Sequence, residues 1–218
     1  MENRTKWIFI GYAVLVLLIP IYMVGSSANI LSNGKLYKFR MEGYDPFDFF
    51  RGNYLRVRID TRGIPTDKDD WLPGETVYLS IDVDQDGYAF FDEALEEPPS
   101  SGDYMVSKVD RLNGFSRSVT GFITGGMFGS ESEEYRRKTV DVEMPNNLGK
   151  YFITEEYAED GEFALRRARG FATVHVRVKN GNVRLQDIYL GKKPIMEYLE
   201  DGGDGDFDEE RRGLQFRF

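Results

Sequence analysis

The chain contains no cysteine and a single histidine in 218 residues. Without a thiol it has no disulfide, no thiolate metal site and no cysteine nucleophile, and either side of a membrane stays open as its compartment. The zinc signature HExxH needs two histidines and is excluded. Missing too are GxSxG, GxxxxGK[ST] and a GxGxxG opening a helix, which removes the common serine-nucleophile and phosphate-cradling signatures. Basic charge is short: 28 Lys and Arg stand against 37 Asp and Glu, for a net charge of −9. The basic residues are scattered, so a phosphate backbone would be repelled by most of the surface and a nucleic-acid partner is not expected.

What is present starts with "WIFIGYAVLVLLIPIYMV", residues 7–24, a run of 18 without one charge. As a helix it would rise about 27 Å, close to the hydrocarbon thickness of a bilayer. Pro20 would kink such a helix without forbidding it. Arg4 and Lys6 on the short flank favour an N-terminus in the cytoplasm, which sends the rest of the chain outside. A cleaved signal peptide is the rival, since Ser26, Ser27 and Ala28 supply a small-residue site. The run exceeds a typical signal core, and Trp7, Tyr12 and Tyr22 include aromatics near the ends, so an uncleaved anchor is favoured. The expected organisation is a cytoplasmic stub at 1–6, a transmembrane anchor in the lipid bilayer at 7–28, an extracytoplasmic β-rich domain at 29–199 and an acidic, Gly-rich tail at 200–218. That is a single-pass protein of the cytoplasmic membrane, with its domain on the periplasmic or extracellular face.

Beyond the anchor the pattern changes to short runs alternating apolar with polar residues and bounded by Gly, Pro, Asn or Asp, the mark of half-buried antiparallel strands. They fall at 35–41, 54–60, 75–81, 104–112, 118–123, 138–144, 171–180 and 183–190. The fold class is therefore mainly β, sandwich- or barrel-like, with one short helix and a single N-terminal transmembrane helix before it. Asn180-Gly181 suits the two positive-φ positions of a type I′ hairpin. The helix is expected at 154–168, with Thr154 as N-cap, early acids and late Arg166 and Arg167 matching the dipole. Gly161 weakens it and threatens to split it. Residues 95–103 read as a loop, and the tail at 200–210 has the composition of a segment without fixed structure.

His175 lies between Val174 and Val176, so alternation puts it on the outward face with Arg177 and Lys179, as a surface histidine. One metal pattern is complete: "DVDQDGYAFFDE" sets Asp82, Asp84, Asp86, Gly87 and Glu93 at positions 1, 3, 5, 6 and 12 of a calcium loop. Its flanks oppose that reading, since a strand pattern and Pro73-Gly74 stand where an entering helix belongs. A β-hairpin turning at Asp86-Gly87 is the preferred reading, with no cofactor expected and calcium as the alternative.

The stretch "GYDPFDFFRGNYLRVRID", residues 43–60, is the densest in chemistry. Asp45-Pro46 favours a turn, Asp48 suits an Asx-type cap and Gly52 permits a positive φ before the strand. Arg51 has Asp45 and Asp48 in reach for bidentate pairing. Leu55, Val57 and Ile59 then point one way and Tyr54, Arg56 and Arg58 the other. Every residue thus has a turn, cap or packing task, which favours a structural role over a reactive one.

Residues 30–59, "ILSNGKLYKFRMEGYDPFDFFRGNYLRVRI", resemble the bacterial family named for its GDYxxLxY motif, membrane-anchored proteins with a DPxDxxRGDY segment after the anchor. Asp45, Pro46, Asp48, Arg51, Gly52 and Tyr54 fall on that segment. "LGKYFITEE" is similar to a later family segment through Tyr151, Phe152 and Glu155, and residues 172–194 resemble its closing hairpin. The chain departs from the motif at Asn53 for Asp, Val57 for Leu and Ile59 for the second Tyr. The resemblance implies an anchor plus an exported domain and an accessory role beside multi-spanning membrane proteins; it implies no activity. Three functions follow as expectations. The first is a non-enzymatic, membrane-anchored interaction protein binding a membrane or envelope protein. The second is an exported hydrolase using Asp45, Asp48 or Glu155 as acid and base. The third is a calcium-binding β-module.

Overall fold

The structure, a computed structural model, describes residues 2–42, 54–113, 138–145, 147–168 and 170–203. The expectations for 43–53, the strand at 118–123 and the tail beyond 203 lie outside the described residues.

Helix α1 spans Glu2–Asn33 and runs through Pro20 without a break. It is long and apolar enough to cross a membrane, and its apolar side chains from Trp7 to Val24 are almost all exposed. Water disfavours so continuous an apolar surface, whereas hydrocarbon accommodates it. The helix ends where Gly34 donates its N–H to the Ile30 carbonyl at 2.8 Å, and β1 (Lys35–Arg40) begins one residue later.

Ten further strands follow among the described residues: β2 (Tyr54–Arg56), β3 (Ile64–Thr66), β4 (Thr76–Val83), β5 (Ala89–Leu95), β6 (Tyr104–Asn113), β7 (Lys138–Val142), β8 (Lys150–Phe152), β9 (Ala172–Lys179), β10 (Asn182–Leu190) and β11 (Lys193–Pro194). Nine form one sheet in the order β11-β10-β9-β1-β5-β4-β6-β7-β3, and β2 pairs with β8 in a separate ribbon. Among the described residues the strand pairs are antiparallel except β1 with β5, which run parallel at Phe39↔Ala89. That pair makes the sheet mixed, where alternation alone had implied only antiparallel neighbours; the two faces of β1 look alike in either pairing. The mostly β class stands.

The sheet curls. The Thr66 hydroxyl of β3, at the far end of the order, donates to the Ala94 carbonyl of β5 at 2.9 Å and accepts from the Trp71 indole at 2.9 Å. Inside the curl lie Tyr37, Phe39, Leu79, Val109, Val140, Val174, Val176 and Ile188, all buried. Phe39 and Phe91 touch across the parallel pair with ring centroids 5.2 Å apart.

Helix α2 spans Ala158–Arg167, with Glu159 and Asp160 early and Arg166 and Arg167 late. Its start differs from expectation: residues Glu155–Tyr157 form a 3-10 turn, and Thr154 makes no side-chain capping bond. Gly161 does not split it. A Cβ there would lie 3.2 Å from methyls of Leu55 and Ile153, so glycine is what lets the helix sit against β2. A third helix, α3 (Ile195–Glu200), buries Ile195, Tyr198 and Leu199 over the core. Its six residues are too few to show a helical period in the sequence.

Both hairpins form. Asn180 and Gly181 have φ of 50° and 76°, as a type I′ turn requires. In the β4–β5 turn only Gly87 is left-handed, at 84°, after Gly87 N–H reaches the Asp84 carbonyl at 3.0 Å. His175 corrects expectation. It is on the predicted face with Arg177, yet only 8% exposed, because the Tyr189 ring stacks on it with centroids 3.9 Å apart. Burial, with the Lys38 ammonium helping, pushes its pKa below the usual value, partly offset by Asp187.

Candidate functional site

Residues 54–62 form a seam fastened on three sides. Tyr54, Leu55 and Arg56 pair with Phe152, Tyr151 and Lys150 of β8. The Val57 N–H donates to the Gly149 carbonyl at 3.1 Å, Glu42 N–H to the Arg58 carbonyl at 2.8 Å, and Val142 N–H to the Thr61 carbonyl at 2.9 Å. The seam thus ties the ends of β1 and β7 to β8. Leu55, Val57 and Ile59 are each no more than 3% exposed, facing the core as their alternation predicts.

Opposite them, Arg56 and Arg58 line a cleft of about 570 Å³ together with Glu42, Arg62, Arg111 and Asp141. Two of its three carboxylates are engaged, and the third, Asp110, is exposed. Glu42 accepts from the Arg62 guanidinium, and Asp141 accepts from Gly63 N–H at 2.8 Å and from the Asn113 amide at 2.6 Å. Arg62 also lies 3.6 Å from Asp60. Arg58 and Arg111 are exposed and make no ion pair among the described residues. Small-molecule pockets are mostly apolar with a few polar groups, and this lining is mostly charged. Planar guanidiniums can instead pair in two-pronged fashion with carboxylates or phosphates.

The structure brings together only part of what the sequence singled out. Asp45, Pro46, Asp48, Arg51 and Gly52 lie outside the described residues; of the two flanking residues, Glu42 lines the cleft and Tyr54 does not. The Tyr54 ring meets Phe152 edge-on at 6.2 Å and has the Lys150 ammonium 4.9 Å from its centroid. Phe152 itself is 76% exposed. Tyr151 turns the other way, where burial first and the neighbouring Asp187 second push its hydroxyl well above the usual pKa. Glu155 is exposed in the 3-10 turn and is not among the cleft's lining residues. Arg111 and Asp141 were missed by sequence reasoning, because only the sheet order brings β6 and β7 beside the seam.

The carboxylates of the calcium pattern have other partners. Arg40 lies 3.2 Å from Asp84 and 2.9 Å from Asp86, Asp84 also accepts from the N–H groups of Asp86 and Tyr88, and Asp82 accepts from Val83 N–H. Among the described residues no three His, Cys, Asp or Glu side chains converge for a metal.

The profile of the GDYXXLXY protein family matches residues 16–188, from within the apolar run to near the end of β10. The chain belongs to this family. No curated protein and no solved structure matches. In this chain Val57 and Ile59, which stand at the Leu and second Tyr positions of the GDYXXLXY motif, are both in the core. Tyr54 and the outward arginines are what the motif region leaves at the surface.

Proposed function

We propose that this GDYXXLXY protein is a non-enzymatic accessory protein, anchored by α1 in the cytoplasmic membrane with its N-terminus inside, whose exported domain binds a membrane or envelope protein. The observation that carries this reading is the cleft at the motif seam, where Arg58 and Arg111 stand exposed beside Glu42 and Asp141, two carboxylates already held in place. Fixed charges on a rigid β framework give specificity to a protein contact at little entropic cost. Support for an uncleaved anchor comes from the Ser27 hydroxyl, which accepts from Arg184 at 3.1 Å, and from Asn29, bonded to Lys179 at 2.9 Å. Those contacts use the residues at and just beyond the small-residue site. Removing the helix would break them.

The test is a photo-crosslinking amino acid at Arg58 or Arg111 in native membranes. A single discrete adduct, lost when the other arginine is replaced by Glu, is the expected result. Adducts no more discrete than those from a probe at exposed Gln85 would contradict it.

A further inference from the structure

The sheet surrounds the end of α1 with three cations, Arg177, Lys179 and Arg184. Arg177 donates to the Gly34 carbonyl at 2.9 Å, a position where a cation offsets the negative end of the helix dipole. That task explains Arg177. It does not explain Arg184, whose Nε and Nη2 both reach the Ser27 hydroxyl, nearly two turns earlier. Lys179 meets the Asn29 amide oxygen, which also accepts from Asn33.

The heights of these contacts along α1 are informative. The charge-free run ends at Val24, so at 1.5 Å per residue Ser27 and Asn29 lie about 4.5 and 7.5 Å beyond it. The headgroup layer is about 5–8 Å thick on each side of the hydrocarbon. Arg184 and Lys179 are therefore held at headgroup depth, whereas Gly34 and Arg177, about 15 Å out, are above it. Neither Arg184 nor Lys179 has a carboxylate partner among the described residues, in a chain of net charge −9. Their partners are a hydroxyl, an amide and a backbone carbonyl, none of which neutralises them.

The geometry points to a lipid-headgroup site at the anchor's exit: Arg184 and Lys179 bind the phosphates of anionic phospholipids and seat the domain on the bilayer surface. It rests on the reading of α1 as a membrane span. Guanidinium and ammonium groups at this depth combine charge-assisted hydrogen bonds with attraction to the surface potential. The hairpin at Asn180-Gly181 holds the two cations on adjoining strands, Lys179 directly before the turn and Arg184 three residues after it.

The test uses the full chain in nanodiscs of phosphatidylcholine alone or with phosphatidylglycerol, after flotation confirms incorporation. The midpoint of thermal unfolding should be about 4–8 °C higher in the anionic discs, two cations each contributing roughly half. Lys179→Gln with Arg184→Gln should remove that difference while the protein still floats with lipid, whatever the change in absolute midpoint. Arg184→Lys should retain part of it. An equal midpoint for the natural chain in both discs, or a difference that survives the double substitution, would overturn the site. So would inorganic phosphate raising the midpoint in phosphatidylcholine discs as much as phosphatidylglycerol does, since the two cations would then bind free anions. Failure to float would overturn the membrane span itself, and the headgroup site with it.

Discussion

At the exit of α1 and at the motif cleft the molecule uses the same residue type in opposite ways. Around α1, Arg177 and Arg184 spend their donors on neutral oxygens of the helix and fasten one element to another. At the cleft, Arg62 is held by Glu42 and Asp60 while Arg58 and Arg111 project outward from a rigid seam. An arginine so placed is part of the framework, and Arg184, whose partners are all neutral, keeps its charge for a headgroup phosphate as well. One that stands beside carboxylates already engaged elsewhere is available to something else. The difference lies in what surrounds the guanidinium.

The strongest way to break this comparison is to remove the seam's support from beneath. Leu55→Ala deletes a fully buried side chain against Gly161 of α2 and should cost about 2–5 kcal/mol by denaturant unfolding in detergent. A cost below that of an exposed substitution would show that the seam is not packed as described. Next is the junction. A Cβ on Gly34 would stand 2.4 Å from the Ile30 carbonyl oxygen and 3.1 Å from that of Val178. Gly34→Ala should therefore cost about 1–3 kcal/mol and free α1 from the sheet, read as new protease cleavage between 25 and 35.

Acidification offers a milder probe of the same sheet face. The pKa of His175 is depressed in the folded chain, so its contribution is complete above the unfolded value of about 6.5 and is lost as pH falls through the folded one. Thermal midpoints should decline as pH falls through that range, and His175→Phe, which keeps a ring against Tyr189, should flatten the decline. An unchanged slope would remove His175 from the account. The smallest stability effect belongs to the cleft: Arg58→Ala or Arg111→Ala should stay within about 0.5 kcal/mol of the natural chain, because neither has an ion pair to lose among the described residues. Partner crosslinking should fall nonetheless.

Much of the framework was legible because it depends on local pattern. Alternation placed β1, β4, β6, β9 and β10 within two or three residues, and Asn180-Gly181 fixed one turn by its left-handed requirement alone. The inward and outward sets at 54–59 also came from period two. What was hidden depends on long-range assembly. The burial of His175 requires Tyr189 from the neighbouring strand, the parallel β1–β5 pair leaves no mark on either strand's sequence, and the cleft exists only where β6 and β7 pass the seam. Gly161 misled for a related reason: its helix cost is visible in the sequence, whereas the close approach to Leu55 that requires it is not.

The central claim is that the domain rides on its anchor as one body, so that the cleft is held at a set position above the membrane. Because the chain has no cysteine, Tyr22→Cys in the exposed part of α1 and Gln85→Cys in the β4–β5 turn would carry the only two spin labels. Electron-electron distance measurement on this pair in nanodiscs should return one narrow population, which broadens when Gly34→Ala is added. A broad distribution in the chain with Gly34 intact would mean that the helix and the sheet move independently, and would contradict the account.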